Sequence, residues 1–138
     1  MRVRSGLFLS FALLSLAWDF PARAEPLTCA APLKPMLRNE LYFGRNIGGR
    51  AGVGERQWQA FVNRELTPRF PDGLTVIDGQ GQWREGGGIV RERSKIVVIV
   101  TADDAEARTR VAAAAAAYKA RFGQRSVGVV TQPVCAAF

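Results

Sequence analysis

The sequence contains no histidine. That absence removes Ser/His/Asp and Cys/His nucleophilic sites, His-ligated zinc and His-ligated haem together. Cysteine is nearly absent too: Cys29 and Cys135 are the only two. Acidic residues are outnumbered, 12 against 19 Lys and Arg, for a formal net charge of +7. The basic residues are dispersed, acids are interleaved, and no nucleic-acid motif is present. That pattern argues against a nucleic-acid partner and fits loose attraction to lipid headgroups or polyanionic glycans. No low-complexity bulk occurs. With 48% hydrophobic and 22% charged residues, the 138-residue chain is one domain's worth of globular protein.

Long apolar runs are missing, with one exception at the start. Arg2 and Arg4 precede Gly6 to Trp18, an uncharged apolar run, and Ala22-Arg23-Ala24 supplies an A-x-A cleavage site. That order predicts a secretory signal peptide over residues 1–24 and a single α+β domain over 25–138. The run is short for a membrane span, so none is expected after cleavage. Losing Arg2, Arg4, Arg23 and Asp19 lowers the net charge by two. The predicted location is the periplasm or the exterior. In an oxidising compartment an even cysteine count suggests a Cys29–Cys135 disulfide; free thiols or a metal pair are the alternatives.

The remaining chain reads as six elements. Arg38 to Arg45 is strand-like, with Leu41 and Phe43 on one face and Tyr42 on the other. The glycine-rich stretch Gly44 to Gly54 reads as a loop. Trp58, Phe61, Val62 and Leu66 form one apolar stripe on a helix over Glu55 to Leu66, which Pro68 stops. Phe70-Pro71-Asp72-Gly73 has the chemistry of a type I turn. Leu74 to Asp78 is a strand, extending to Trp83 through a bulge at Gly79 or Gly81. Glu85-Gly86-Gly87-Gly88 is a hairpin loop, and Ile89 to Val100 the return strand. Thr101 and Asp104 have capping-box spacing before a second helix, whose buried stripe is Val111, Ala115, Tyr118 and Phe122. Gly123 stops it. Arg125 to Thr131 is a last strand, ended by Pro133.

The order β-α-β-β-α-β is the ferredoxin-like pattern, an antiparallel four-stranded sheet with two helices on one face. In it the first and last strands are antiparallel neighbours, which brings Cys29 toward Cys135. The third strand does not alternate: Ile96, Val98 and Val100 point one way, Val97 and Ile99 the other. Both faces therefore need covering. A second copy (a homodimer of the dimeric α+β barrel type), an apolar ligand, or the N-terminal segment would serve.

Several runs resemble the exported bacterial family called domain of unknown function 3574. They are Glu40 to Asn46, Trp58 to Phe61, Thr67 to Val76, Gly81 to Arg84, Ile89 to Glu92 and Ser94-Lys95. The likeness continues through Tyr118, Phe122 to Gln124 and Ser126-Val127, and Thr67 to Val76 is its specific part. The resemblance implies a small exported protein without an assigned activity, so it supplies no catalytic residues. Relatives are expected to carry Ser at the first helix's N-cap, where this chain has Gly54.

Three places could carry a site. The Thr67 to Gly73 turn exposes Arg69 beside Asp72, and Arg69 could clamp an anionic group; a rigid turn explains the same residues. The glycine-rich loop, with Arg45 and Arg50 beside it, lies before a helix N-terminus but lacks phosphate-loop order. Third is a polar set on the first three strands: Tyr42, Arg45, Asp78, Trp83, Glu92 and Lys95. Those residues could line a cleft with a Glu92–Lys95 acid/base pair, or simply pair across strands. Glu65 is expected to pair with an Arg. The candidate ligand contacts are thus Tyr42, Arg45, Arg69, Asp72 and Glu92, for a small or anionic ligand. Neither a cofactor nor a metal is implied. The leading expectation is a non-enzymatic binding or interaction module. The alternative is a cofactor-independent enzyme of the dimeric α+β barrel type, acting on a small organic molecule.

Overall fold

Alternation along two strands sets the layers. On β1 (Lys34–Gly44), Leu37, Leu41 and Phe43 are buried while Tyr42 between them is exposed. On β5 (Gly88–Thr101), Val97 and Ile99 are buried and Ile96, Val98 and Val100 are half-buried. The two strands pair antiparallel with Leu41 opposite Val97 and Asn39 opposite Ile99, so their buried residues share one face. The protein was analysed as a computed structural model, which describes residues 25–138. The expected signal peptide lies outside the described residues.

The other elements are β2 (Asn46–Ile47), β3 (Arg50–Ala51), α1 (Glu55–Phe61), β4 (Thr75–Glu85), α2 (Ala105–Phe122) and β6 (Gly128–Ala136). The sheet runs β4-β5-β1-β6, every neighbour antiparallel. With α1 and α2 on one face, this is the ferredoxin-like α+β fold that the element order predicts. Cys29 and Cys135 are disulfide-bonded, with Cα atoms 5.6 Å apart. The bond links the segment before β1 to β6, its neighbour in the sheet.

Aromatic packing joins the helices to the sheet. Phe43 meets Tyr118 at 4.7 Å and Trp58 at 5.4 Å between ring centroids; Phe61 meets Tyr118 at 5.0 Å, and Phe122 meets Tyr118 at 4.8 Å. Tilted and edge-on pairs of this kind add to area burial. Alanines at 107, 114 and 115 let α2 approach the sheet closely, and all three are buried.

Five local expectations need correction. The glycine-rich loop carries a small ladder, β2 against β3. The first helix ends in a π turn over Val62–Leu66, where the Thr67 N–H donates to Val62 O at 2.9 Å. Pro68 has no N–H to continue the ladder, and the turn widens there. β4 has no bulge: pairing with β5 is unbroken from Thr75–Val98 to Glu85–Gly88. Gly79 is instead a place where neighbours, Ser94 and Ile96, approach closely, while at Gly81 the nearest neighbour, Trp83, is at ordinary contact distance. Thr101 is not the cap of α2. Asp104 is, accepting the Ala107 N–H at 2.6 Å, while Thr101 ends β5 and takes a hydrogen bond from the buried Asn39. Finally, β6 runs through Pro133, opposite Leu37. It is an edge strand, where a missing N–H can face outward.

Candidate functional site

Strand parity divides the polar set in two. Odd positions of β1 and β5 face the helices, so Arg45 and Lys95 lie beneath α1, together with Asp78 of β4 opposite Lys95. Arg45 donates from Nε to Val53 O at 2.8 Å and from Nη1 to Glu55 Oε2 at 3.1 Å. Lys95 Nζ lies 3.0 Å from Glu55 Oε1 and 2.7 Å from Asp78 Oδ1. Burial lowers the Lys95 pKa, but the hydrogen bonds and charges of Asp78 and Glu55 outweigh it, and the net shift is upward. The Lys95 hydrogen bond in turn holds Asp78 below the ordinary aspartate value. This network fastens the start of α1 to the sheet. Glu92 and Lys95 face opposite sides and form no acid/base pair.

Even positions of the same strands build the open face, with a cleft of about 680 Å³ at its glycine-rich end. Gly44, Gly81, Glu92 and Ser94 line it from the sheet. Trp83 and Val90 rise from the β4–β5 hairpin; Asn46, Gly48 and Gly49 come from the loop after β1, and Gly123 to Ser126 from the α2–β6 connection. Tyr42, Gln82 and Gly128 also line it. Gln124 donates from Nε2 to Asn46 O, which ties the two loops together.

Glu92 is the central group. Its Oε2 accepts the Asn46 N–H at 2.8 Å. Burial raises its pKa above the ordinary glutamate value, and the backbone N–H groups of Asn46 and Arg45 offset this only in part. A Cβ on Gly44 would fall on the Glu92 carboxylate, so the seat exists only because residue 44 is glycine. From the other side Tyr118 donates its hydroxyl to Gly44 O at 2.8 Å. Burial pushes the Tyr118 phenol well above the ordinary tyrosine range, and it stays a donor. The core thus holds the backbone on which Glu92 rests.

Tyr42 stands over Gly128, where an added Cβ would come within 3.3 Å of its own Cβ. Its hydroxyl donates to Glu40, which raises the phenol pKa, and Glu40 pairs with Arg38 at 2.8 Å. The structure therefore brings Tyr42 and Glu92 into one cleft, with Trp83 beside them. Arg45 faces the helices. Arg69 is paired with Glu65 at 2.7 Å beyond the end of the first helix, and Asp72 is exposed in the turn that the Gly73 N–H closes on Phe70 O. Neither Arg69 nor Asp72 lines the cleft. The glycine-rich loop, a candidate from sequence, does contribute Gly44, Asn46, Gly48 and Gly49 to the cleft; sequence reasoning missed Gln124, Arg125 and Ser126. The only signal was the recurrence of glycine at 44, 48, 49, 81, 123 and 128, whose convergence needs three dimensions.

The family described as a protein of unknown function (DUF3574) matches residues 38–138. The chain belongs to it. No curated protein matches this DUF3574 chain. Solved structures do. A phage SAM lyase in complex with S-methyl-5′-thioadenosine is 17% identical, with a TM-score of 0.58 over 73% of this chain and 90% of that one. The same enzyme type in its apo state gives 17% identity and a TM-score of 0.60, over 75% and 86%. CutA from Synechococcus elongatus PCC7942 is 13% identical, with a TM-score of 0.51 over 76% and 84%. At these identities the likeness establishes the fold alone. Among the described residues, no helix of this DUF3574 protein is long and apolar enough to cross a membrane.

Proposed function

We propose that this DUF3574 protein is an exported, non-enzymatic binding module that holds a small organic molecule in the cleft. The observation that carries the reading is the seat of Glu92. A half-buried carboxylate seated over glycine, in a cleft that two exposed aromatic rings also line, is a costly arrangement for a surface with no ligand to meet. Tyr42, Trp83 and Glu92 are the contacts; Arg45 positions the loop that supplies the Asn46 N–H. Arg69, held by Glu65, and the exposed Asp72 lie outside the cleft and are no part of this site.

Export is supported by the disulfide and by the signal-like first 24 residues. A homodimer is supported by the open face. Ile77, 46% exposed, lies beside Ile96, and Val98 and Val100 continue this apolar row along β5; Val130, 43% exposed, lies on the far side of Glu40. The Arg38–Glu40 pair on this face offers charges of both signs to a second copy.

The test is a nuclear magnetic resonance titration of the oxidised chain with a fragment set that includes S-methyl-5′-thioadenosine. Saturable shifts clustered on Tyr42, Trp83 and Glu92 are the expected result. Shifts elsewhere, or none, would remove the reading.

The second reading is a cofactor-independent enzyme on a small organic molecule. One observation favours it: a lyase is among the structures that share the fold. Incubating the protein with SAM and following S-methyl-5′-thioadenosine by chromatography separates the two. Release beyond one equivalent supports the enzyme; its absence leaves this substrate out.

A further inference from the structure

Among the described lining residues, Glu92 and Arg125 are the only acidic or basic ones. Arg125 sits in the α2–β6 connection and is already engaged by an interaction within the molecule. Glu92 is different. A carboxylate has about four acceptor positions. The backbone at Asn46 and Arg45 occupies the inner side of this one, and the Lys95 and Arg45 side chains lie on the opposite face of the sheet. No ion pair to Glu92 occurs among the described residues. Its remaining acceptor capacity is available to the cleft. The rings of Trp83 and Tyr42, 40% and 38% exposed, line that same space. Aromatic faces attract cations, most strongly where water is partly excluded. A carboxylate sharing one cleft with two exposed rings is complementary to one chemical group above others.

We propose that the cleft selects a small organic cation, a protonated amine or quaternary ammonium carried on an apolar or aromatic body. The positive group meets Glu92, and the body lies against Trp83 and Tyr42. At about 680 Å³ the cleft falls within the usual range for small-molecule sites. The inference rests on the reading of the cleft as a ligand site and goes further by naming the charge of its ligand.

Three probes of nearly one shape test it: phenethylamine, 2-phenylethanol and phenylacetate. Each is titrated into the oxidised chain while the indole N–H resonances are followed. Trp83 lies on the cleft and Trp58 in the core, so the two signals separate binding from unfolding. Phenethylamine is expected to bind about tenfold more tightly than 2-phenylethanol, moving Trp83 alone, with phenylacetate weakest. In Glu92→Gln, which keeps the shape, amine and alcohol should bind within about twofold of each other. Should that variant fail to fold, the wild-type series decides by itself. Equal or tighter binding of the alcohol or the acid at Trp83 would overturn the cation preference and leave a ligand cleft in place. No Trp83 shift with any of the three, nor with the wider fragment set, would overturn both.

Discussion

Gly44 carries more of the site than any side chain that sequence reading singles out. Its missing Cβ makes room for the Glu92 carboxylate, and its carbonyl receives the Tyr118 hydroxyl. Gly44→Ala should therefore push aside the Glu92 carboxylate, the flexible end of its side chain, and cost about 1 kcal/mol through the lost Asn46 hydrogen bond, read as a lower denaturation midpoint in urea. Two carboxyl groups on β4 and β5 should respond to pH with opposite signs. Glu92 has a folded pKa above the ordinary value. Between the two values the folded chain holds the proton more tightly than the unfolded one, so this contribution falls as pH rises through that window. Asp78 has a lowered folded pKa; its contribution is present above the ordinary aspartate value and is lost as pH falls through the folded one. Thermal melts across the acid range should show Glu92→Gln removing the first slope and Asp78→Asn removing the second. Neither direction was readable beforehand, because sequence shows neither the burial of Glu92 nor the partner of Asp78.

At the scale of elements, type and order were legible and the joints were not. The Trp58, Phe61, Val62 and Leu66 stripe marks the first helix because four apolar residues at helical spacing must share a face, and all four are buried. Thr101 and Asp104 have the spacing of a capping box, yet β5 extends through Thr101, where the buried Asn39 holds its hydroxyl at 3.1 Å. Local spacing suggested a cap; a long-range hydrogen bond made it a strand end. Two substitutions separate these roles. Asp104→Ala should cost about 0.5–2 kcal/mol through loss of the cap. Thr101→Val should cost about 1–3 kcal/mol by leaving an Asn39 donor buried without that partner. Urea denaturation followed by circular dichroism measures both; a neutral Thr101→Val would mean that the Asn39 network contributes little. The unbroken β4 and the passage of β6 through Pro133 have one source. Ladder partners and edge position decide whether a glycine bulges or a proline stops a strand, and neither is encoded nearby.

For the whole molecule, the disulfide and the open face carry the expectations. Cys29 and Cys135 are separated by 106 residues. Loop-closure entropy for a ring of that size is about 4–5 kcal/mol. The Cys29→Ser, Cys135→Ser double variant should lose stability on that scale, measured as the difference in unfolding free energy from the oxidised chain. A loss under about 1 kcal/mol would mean that the unfolded chain is already restricted. The proposed pairing through the open face makes a separate claim. Val98 lies mid-strand on that face, half-buried and opposite Glu40 and Thr75. Sedimentation equilibrium at micromolar concentration should give twice the chain mass for the wild type, and the single-chain mass for Val98→Asp. A wild type that stays single would leave the open face to the ligand or to another partner.

By itself the sequence determined the α+β class, the β-α-β-β-α-β order, the likeness to a family of unassigned activity, and the two-sided demand of the third strand. Each rests on periodicity, punctuation or motif, which are local and survive in one dimension. It also predicted the cysteine pairing, since the two cysteines fall near adjoining ends of neighbouring strands, and the structure forms that bond. Only the tertiary structure decided which polar residues meet. A single step along a strand reverses the face, and that step sent Lys95 beneath a helix and Glu92 into a cleft. The cleft itself is assembled from glycines and loop ends spread from residue 42 to residue 128. Its carboxylate has a place there because a Cβ is missing from the strand beside it.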